Sequence, residues 1–288
     1  MSLKRREASH SASVPIHDKF RYHLQMKEMT VSDSRKVMVD ILYDVTSFCD
    51  THHLKYYLGY GTLIGAIRHK GFIPWDDDID IQMPRSDYED FIRLYKQSGK
   101  YPLLTPYDHG CYLMWTKAYN PDTVRRERYV DYKRYKQIGV DIDIFPMDGQ
   151  PENWNEYKKV TDERVRFYWL IARGVMPLTG LGLKKSLIAA LCRLFNPSKL
   201  IERYVNSADN YPYQDSKYVG FSDCLCPYRD RHRREVFDNR VKVEFENGEY
   251  WAPVGYDEYL KDLFGDYMQL PPIEQRKSTH TSKDYWKE

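Results

Sequence analysis

The chain has 288 residues, which exceeds the commonest domain size but is short for two large domains, so we expect one core with helical additions. Hydrophobic residues make up 42% and charged residues 30%, as in soluble globular proteins. The net charge of +2 is too small for a general nucleic-acid-binding surface, so we expect no nucleic acid among the partners.

The first 29 residues are polar and lack the apolar core of a signal peptide, so residues 1–29 are expected to form a flexible arm. No later stretch reaches the roughly 18 uncharged residues that a membrane-spanning helix needs. Five scattered cysteines are typical of reduced thiols; they are Cys49, Cys111, Cys192, Cys224 and Cys226. We therefore predict a cytoplasmic protein in which residues 30–288 form a single domain.

The first expected element is an amphipathic helix from Asp33 to Cys49, for which Ser32 is the predicted N-cap. Its apolar residues at helical spacing are Val37, Ile41, Val45 and Phe48. A strand-like run, Leu54 to Leu58, then leads through a glycine-containing turn into a short helix, Leu63 to Arg68.

The middle of the chain reads as three strands and one helix. Asp78 to Met83 predicts a strand, and Asp87 to Gln97 predicts the helix that follows it. Tyr112 to Tyr119 and Gly139 to Phe145 predict two further strands, of which the second alternates acidic and apolar residues.

Helical patterns dominate the next part of the chain. They cover Glu152 to Arg173 and Leu183 to Phe195. A third helix is expected from Asn196-Pro197, because a polar cap is followed there by proline at the first helical position. We interpret residues 150–210 as a helical insertion.

The C-terminal part predicts a hairpin and a helix. The strands Val241 to Phe245 and Glu249 to Ala252 are expected to be joined by an Asn247-Gly248 turn. A helix from Tyr256 to Phe264 follows. Together the elements predict an α+β fold, in which a small mixed β-sheet carries flanking and inserted helices.

Acidic residues cluster at the start of the second strand. Four carboxylates lie within five residues, at Asp76, Asp77, Asp78 and Asp80. Alternate residues of a strand share a face, so Asp78 and Asp80 are expected to point the same way. Ionised carboxylates on one face repel each other, and a hard cation such as Mg²⁺ or Mn²⁺ relieves this repulsion. We therefore predict a metal site rather than a simple acidic turn, which does not explain the alternation.

A second acidic pair, Asp141 and Asp143, repeats this alternation within an apolar strand. If the two acidic strands are neighbours, three or four carboxylates converge. Such a cluster suits phosphoryl transfer, because metal ions neutralise phosphate charge while a carboxylate accepts the proton of the acceptor. The pattern alone does not distinguish Asp141 from Asp143.

Phosphate-binding groups are expected beside the acidic strand. Gly61 and Thr62 lie where a strand becomes a helix, and a helix start offers N–H groups to a phosphate. Three side chains at the end of this helix would suit a pyrophosphate, namely Arg68, His69 and Lys70. An ordinary cationic helix C-terminus is the alternative. Lys117, within an apolar strand, is a further phosphate candidate.

Three segments together resemble the LicD family of phosphotransferases: GTLIGAIRHKGFIPWDDDIDIQMPRSDYEDF, DIDIFPMDGQP and YLKDLFGDYMQLPP. The resemblance covers about Asp33 to Arg276 and implies a nucleotidyltransferase-like fold. It also implies that Asp78 and Asp80 are metal ligands and that Asp143 is the third acid, with Asp141 still possible. The family includes phosphocholine transferases of bacterial surface polysaccharides and is related to the fukutin-type ribitol-phosphate transferases.

The resemblance further implies CDP-choline as the donor and a teichoic acid or lipooligosaccharide precursor as the acceptor. A choline cation would be held by aromatic faces, for which Trp75 is one candidate. Transfer of another alditol or amino-alcohol phosphate is an alternative, and so is a true nucleotidyltransferase with a small acceptor.

Two further possibilities concern surfaces. Basic clusters that could bind polyanions in a non-catalytic protein are Arg125, Arg126, Arg128, Lys133, Arg134 and Lys136, and Arg229, Arg231, Arg233 and Arg234. The segment Trp169 to Phe195 combines apolar and basic residues, which is compatible either with an inserted core helix pair or with peripheral contact at the inner face of a membrane carrying a lipid-linked glycan.

Overall fold

The computed structural model describes residues 26–180, 182–221, 228–278 and 282–287, and it has the α+β organisation expected from the sequence. The helices are α1 (Val31–Thr51), α2 (Tyr60–His69), α3 (Arg85–Ser98), α4 (Trp154–Gly174), α5 (Leu183–Cys192), α6 (Pro197–Ala208) and α7 (Tyr256–Phe264). The strands are β1 (Met26–Glu28), β2 (Tyr57–Leu58), β3 (Asp80–Pro84), β4 (Leu103–Leu104), β5 (Thr116–Tyr119), β6 (Thr123–Arg126), β7 (Asp141–Gln150), β8 (Tyr218–Gly220), β9 (His232–Arg233), β10 (Arg240–Phe245), β11 (Gly248–Pro253) and β12 (Lys283–Lys287). Short 3-10 turns lie at Tyr213–Asp215, Arg234–Phe237 and Ile273–Gln275.

Helix α1 begins two residues earlier than predicted because Thr30, not Ser32, is its N-cap. The Thr30 hydroxyl accepts a hydrogen bond from the N–H of Asp33 (3.1 Å), and the Asp33 carboxylate accepts one from the N–H of Thr30 (2.9 Å). This reciprocal capping box satisfies two backbone donors at the helix start. The predicted apolar stripe of α1 faces the core, with Val37, Ile41 and Val45 buried.

The central sheet has the strand order β2-β3-β7-β5-β4 and mixes two pairing directions. β3 and β7 are parallel, whereas β2–β3, β5–β7 and β4–β5 are antiparallel. The long strand β7 also pairs through its second half with β8, which in turn pairs with β9. β7 therefore has a neighbouring strand on each side at Asp143, whereas Asp141 pairs with β5.

A second sheet joins the two ends of the described chain. β12 pairs antiparallel with both β1 and β6, in the order β1-β12-β6. The sequence predicted neither β1 nor β12. Strand β1 therefore occupies the end of the predicted N-terminal arm (residues 1–29), whereas residues 1–25 lie outside the described residues.

The C-terminal hairpin has the predicted strands but a different turn. Phe245 pairs with Gly248, so the turn residues are Glu246 and Asn247 rather than Asn247 and Gly248. Glu246 adopts a left-handed conformation (φ 52°). Tertiary contacts stabilise this register, since the Glu246 N–H donates to the carbonyl of Lys70 (2.8 Å) and its carboxylate accepts from the N–H of Phe72 (3.0 Å). The predicted helix Tyr256–Phe264 is confirmed as α7.

The inserted helices α4, α5 and α6 follow β7. Helices α4 and α6 enclose an apolar cluster with residues of the sheet; it consists of Met114, Phe145, Phe167, Ile171, Val175, Leu200, Ile201, Tyr204 and Phe221. Helix α6 begins at Pro197 with Asn196 as its cap, as predicted. Helix α5 buries only Ala189 and Cys192 and ends at Cys192, short of the predicted Phe195. Among the described residues, no helix is long and apolar enough to cross a bilayer.

The cysteines within the described residues are free thiols. Cys49, Cys111 and Cys192 are all buried. Burial raises the pKa of Cys111 to about 11 and raises that of Cys49 still further. Both thiols are therefore neutral at physiological pH and poor nucleophiles. Cys224 and Cys226 lie outside the described residues.

Candidate active site

The register between β3 and β7 brings two of the predicted acids side by side. Asp80 on β3 pairs with Asp143 on β7 in the parallel ladder. The N–H of Asp143 donates to the carbonyl of Ile79 (2.8 Å), which fixes this register at the acids themselves. Paired residues of neighbouring strands project to the same face of a sheet, so both carboxylates belong to one patch.

The remaining acids lie in the loop before β3. The strand begins at Asp80, so Asp78 is a loop residue rather than a strand neighbour of Asp80 as the sequence predicted. The carboxylate oxygens of Asp76, Asp77 and Asp78 lie within 4.8 Å of one another, and all three residues are half-buried. The loop and the two strands together form an acidic patch of five aspartates.

Electrostatic repulsion within this patch is strongest at Asp80. Burial raises the pKa of Asp80 well above its usual range, and the carboxylates of Asp78, Asp143 and Asp76 raise it further. Removing a carboxylate from water beside other anions disfavours its charged form. Oxygen-only donors with excess negative charge are the ligand type that Mg²⁺ and Mn²⁺ prefer. The donor set of the patch therefore fits the predicted divalent cation.

Asp143 is held through one of its two oxygens. The indole Nε1 of Trp115 donates to Oδ1 (2.5 Å), and Nζ of Lys117 lies 2.8 Å from the same atom. Within the described residues, Oδ2 has no hydrogen-bond donor. Burial raises the pKa of Asp143, although Lys117 opposes this shift. The arrangement fixes the orientation of the carboxylate while leaving Oδ2 able to accept a proton.

Asp141 has a different environment. Its Oδ1 binds Nζ of Lys117 (2.6 Å) and its Oδ2 binds the guanidinium of Arg125 (3.0 Å). Burial favours the neutral form, but Lys117 and Arg125 outweigh it and lower the pKa of Asp141. A carboxylate with both oxygens in ion pairs is an anchor for its neighbours and a poor proton acceptor. The geometry therefore favours Asp143 over Asp141 as the general base.

Lys117 is accordingly a counter-charge rather than a free phosphate ligand. It lies opposite Asp143 in the antiparallel β5–β7 ladder and is 9% exposed. Its ammonium contacts Asp141 and Asp143 together. Those carboxylates raise the pKa of Lys117 well above its usual value despite its burial, so it remains charged.

The glycine-containing turn positions the acids. A Cβ on Gly61 would lie 2.8 Å from Oδ2 of Asp76, so glycine leaves room there for the carboxylate. The hydroxyl of Thr62 accepts a hydrogen bond from the N–H of Asp80 (2.8 Å). Helix α2 starts at Tyr60, before the predicted Leu63, and this places both residues in its first turn.

The cationic residues of α2 lie at the opposite end of the helix from the turn; they are Arg68, His69 and Lys70. The helical rise places Lys70 about 13 Å along the axis from Gly61. The guanidinium of Arg68 donates to the carbonyl of Tyr267 and to Nε2 of His69, while Lys70 is exposed. The structure does not bring this group to the carboxylates, because Arg68 anchors the segment after α7 instead.

Aromatic residues occupy two positions around the patch. Trp75, in the acidic loop, is half-buried, and the guanidinium of Arg276 lies 5.6 Å from its ring centre. One face of Trp75 therefore already contacts a cation. A second group of rings lies at Asp143. The ring centres of Trp115 and Phe145 are 5.2 Å apart, and those of Tyr60 and Phe145, which meet edge-on, are 5.5 Å apart. These rings lie next to Asp143 and form an aromatic wall.

Arg35 on α1 is a site residue that the sequence did not reveal. Its guanidinium donates to the backbone carbonyls of Ile73 (3.2 Å), Pro74 (3.0 Å) and Asp76 (2.5 Å). These bonds hold the acidic loop against α1. Sequence reasoning had no signal for this role, because an isolated arginine in an amphipathic helix does not indicate which distant carbonyl groups it will bind.

A glycine-containing turn at a helix start, an acidic loop and strand, and another acid on the neighbouring parallel strand define a nucleotidyltransferase-type site for phosphotransfer chemistry. A family model described as LicD/FKTN/FKRP, nucleotidyltransferase domain, matches residues 53–180. The lipopolysaccharide cholinephosphotransferase LicD of Haemophilus influenzae is 32% identical over 273 residues, which cover 90% of this chain and 99% of that protein. The chain therefore belongs to the LicD family of phosphotransferases.

Two shorter matches are to uncharacterised rickettsial proteins. The protein of Rickettsia typhi is 32% identical over 79 residues, covering 26% of each chain. The protein of Rickettsia prowazekii is 31% identical over 97 residues, covering 33% of this chain and 34% of its own. Because these matches cover a third of the chain or less, they add nothing about substrates.

Proposed function

We propose that this enzyme transfers phosphocholine from CDP-choline to a sugar hydroxyl of a cell-surface glycan, with Mg²⁺ or Mn²⁺ at the acidic patch. The observation that carries the proposal is the pairing of Asp80 with Asp143, in which Asp143 retains an oxygen for the acceptor proton. The near full-length similarity to a lipopolysaccharide cholinephosphotransferase supports choline as the head group and a lipooligosaccharide precursor as the acceptor. A teichoic acid precursor is the alternative acceptor.

The residues proposed to hold the cation are Asp78 and Asp80. Asp143, the third acid of the predicted metal site, is proposed to act as the base, because Trp115 and Lys117 already bind its other oxygen. Asp76 and Asp77 lie close enough to Asp78 to contribute oxygens. A bound divalent cation neutralises phosphate charge. The chain itself supplies the rigid donors, since Thr62 fixes the backbone of Asp80 and Arg35 fixes the loop that carries Asp76.

In the proposed reaction, the acceptor hydroxyl attacks the phosphorus that bears choline. A new oxygen–phosphorus bond forms, the bond to CMP breaks, and the hydroxyl proton moves to Oδ2 of Asp143. Trp115 and Lys117 hold Oδ1 so that Oδ2 keeps a fixed orientation. A raised pKa makes Asp143 a better proton acceptor than an ordinary surface carboxylate.

The decisive experiment incubates the enzyme with CDP-choline, Mg²⁺ and a lipooligosaccharide or teichoic acid precursor, with mass spectrometry of the products. We expect the acceptor to gain one phosphocholine and CMP to be released. Asp80→Asn should abolish the product, whereas the exposed Asp90→Asn, which loses only a surface pair with Arg93, should not. Addition of a nucleotide instead would show a nucleotidyltransferase, and a product only from CDP-ribitol or CDP-glycerol would refute choline.

The metal proposal has its own measurement, which requires no donor. Calorimetry with Mn²⁺ should detect binding to the wild-type protein and loss of binding in Asp78→Ala and Asp80→Ala. Both variants should remain folded, because removing one of several repelling carboxylates does not remove packing. Asp90→Ala is the matched control. Unchanged Mn²⁺ affinity in both site variants would exclude the metal assignment.

A peripheral membrane contact is the second part of the proposal. Helix α5 leaves all three of its leucines exposed: Leu183 (88%), Leu187 (60%) and Leu191 (55%). The sequence contains no Asp or Glu between Arg164 and Ile201. Basic residues of this segment that are exposed are Arg166, Arg173, Lys184, Lys185 and Lys199. An apolar face bordered by positive charge suits an anionic bilayer that carries a lipid-linked acceptor.

A further inference from the structure

A charged network built around a buried histidine contacts the start of α2. The imidazole of His232 is fully buried between two carboxylates, with Nε2 3.1 Å from Asp230 and Nδ1 3.2 Å from Asp262. Both ring nitrogens face acceptors, so both carry protons and the ring is an imidazolium. Burial lowers the pKa of His232, but the hydrogen bonds to Asp230 and Asp262 outweigh it and raise the pKa to about 9.

The network ends on Tyr60. The hydroxyl of Tyr60 donates to Oδ2 of Asp230 (2.6 Å), while His232 occupies Oδ1. The backbone N–H of Tyr60 donates to the hydroxyl of Tyr259 on α7 (3.3 Å). Tyr60 is therefore held at both its backbone and its phenol, from two different elements.

Tyr60 touches the acidic patch from two directions. Its backbone adopts a left-handed conformation (φ 43°) immediately before Gly61, at which Asp76 packs. Its ring packs edge-on against Phe145, which also contacts Trp115, the donor to Asp143. A displacement of Tyr60 would therefore disturb both the loop acids and the support of the candidate base.

This arrangement is costly if its purpose is packing alone. A non-glycine residue with positive φ is sterically disfavoured, and the buried His232–Asp230 ion pair is a poor source of stability compared with apolar residues. Such features persist where the surrounding structure must hold a residue in one place, which is common at functional sites.

We propose that Tyr60 is a positioning residue of the active centre and that the Asp230–His232–Asp262 network locks it in place. The inference rests on the proposed function, because it assumes that the acidic patch is where transfer occurs. It assigns a role to Asp230 and His232, which lie outside the sequence motifs that carry the family resemblance. It also gives a role to Asp262, which lies within the third of those motifs, through its contact with His232.

The charge state of the network gives the proposal a distinctive pH dependence. The groups that face His232 are Asp230, Asp262 and the ring of Tyr259 (4.8 Å), with Phe237 beside them (6.2 Å). The imidazolium is retained below its pKa and lost as pH rises through about 9. Asp262→Asn removes one supporting carboxylate, so the charge should be lost at a lower pH than in the wild-type protein.

The test compares Tyr60→Phe and Asp262→Asn with Tyr95→Phe in the full chain. Tyr95 is a matched control, because its hydroxyl also donates to a carboxylate, that of Asp44. This hydrogen bond joins α3 to α1 and does not involve the acidic patch. Tyr60→Phe should lower kcat roughly tenfold to a hundredfold, as for a misplaced catalytic group, with KM for CDP-choline little changed. Tyr95→Phe should retain the wild-type kcat. The alkaline limb of the pH–kcat profile should move to lower pH in Asp262→Asn.

An NMR titration of the histidine C2–H signals tests the network without any substrate. The signal absent from His232→Gln identifies His232, which should titrate near pH 9 in the wild-type protein and lower in Asp262→Asn. Titration near the ordinary value of about 6.5 would overturn the proposal, and so would wild-type kcat in Tyr60→Phe. If another donor replaces CDP-choline, the proposed function fails, yet the same kinetic comparison with that donor still decides the role of Tyr60.

Discussion

Lys117 lies between two aspartates that the sequence pattern treats alike. Its ammonium is 2.6 Å from Asp141 and 2.8 Å from Asp143, but Arg125 contacts only Asp141. Lys117 and Arg125 together outweigh burial and lower the pKa of Asp141, whereas burial outweighs Lys117 and raises the pKa of Asp143. Asp141 and Asp143 lie two residues apart on the same strand, yet the additional ion pair with Arg125 makes Asp141 an anchor and leaves Asp143 as the reactive carboxylate.

This difference predicts opposite phenotypes for two conservative substitutions. Asp143→Asn should reduce kcat by roughly a hundredfold or more, the scale of losing a general base, with little change in KM for the donor. The unfolding free energy of this variant should stay near the wild-type value, because Lys117 retains its ion pair with Asp141. Asp141→Asn should lower the unfolding free energy by about 3 kcal/mol, since it breaks buried ion pairs. Steady-state kinetics and urea unfolding measure the two effects, and equal mild losses of kcat would contradict the assignment.

At the residue scale, the sequence predicted the acids but not their partners. The alternation in the two acidic segments was visible because carboxylates are conspicuous between apolar residues. The structural role of Arg68 could not be predicted in this way. Its guanidinium binds backbone carbonyl groups near Tyr267, and since every residue has a carbonyl group, the sequence does not mark which ones are bound. Arg35 escaped prediction for the same reason.

Among the secondary-structure elements, α5 is the one that its neighbours cover least. Its three leucines, Leu183, Leu187 and Leu191, repeat at helical spacing, yet all are more than half exposed. Periodicity alone predicts an amphipathic helix without saying what its apolar face contacts. The described structure supplies no cover for this face, and the positive charge around it favours an anionic lipid surface.

Replacing these three leucines together by serine should abolish binding to anionic vesicles. Burying apolar side chains at about 25 cal/mol per Å² supplies the membrane affinity, and the basic residues supply the preference for anionic lipid. Co-sedimentation with phosphatidylglycerol vesicles should retain the wild-type protein more than phosphatidylcholine vesicles do. Ile273→Ser, which removes another exposed apolar side chain (77%), is the control. Equal binding of the triple variant and the wild-type protein would exclude α5 as the contact.

Elements with local signals were the ones that could be predicted from the sequence. Caps and periodicity located α6 and α7, because those interactions involve residues three or four positions apart. The short strands β1 and β12 pair across opposite ends of the chain, and no local pattern specifies such a partner. The hairpin turn at Glu246 moved by one residue because contacts with Lys70 and Phe72 outweighed the local preference for Asn-Gly.

At the scale of the whole molecule, β12 connects the chain ends to the active site. Asp284 on β12 binds Arg125 through two hydrogen bonds (2.9 and 3.1 Å), and Arg125 binds Asp141. Lys117 then extends the alternating charges to Asp143. The small sheet is therefore linked to the candidate base by a continuous series of buried ion pairs.

The strength of this connection can be measured with two substitutions on the same strand. Asp284→Ala removes the carboxylate that binds Nε and Nη2 of the buried Arg125 and should lower the unfolding free energy by about 3–5 kcal/mol. Lys283→Ala removes only an exposed pair with Glu28, in which both side chains are more than half exposed, and should cost roughly 0–1 kcal/mol. Urea unfolding followed by circular dichroism gives both values. Arg125 also supports Asp141, so the loss of unfolding free energy reports on the active-site network. A loss for Asp284→Ala as small as that for Lys283→Ala would mean that β12 covers the sheet edge without stabilising this network.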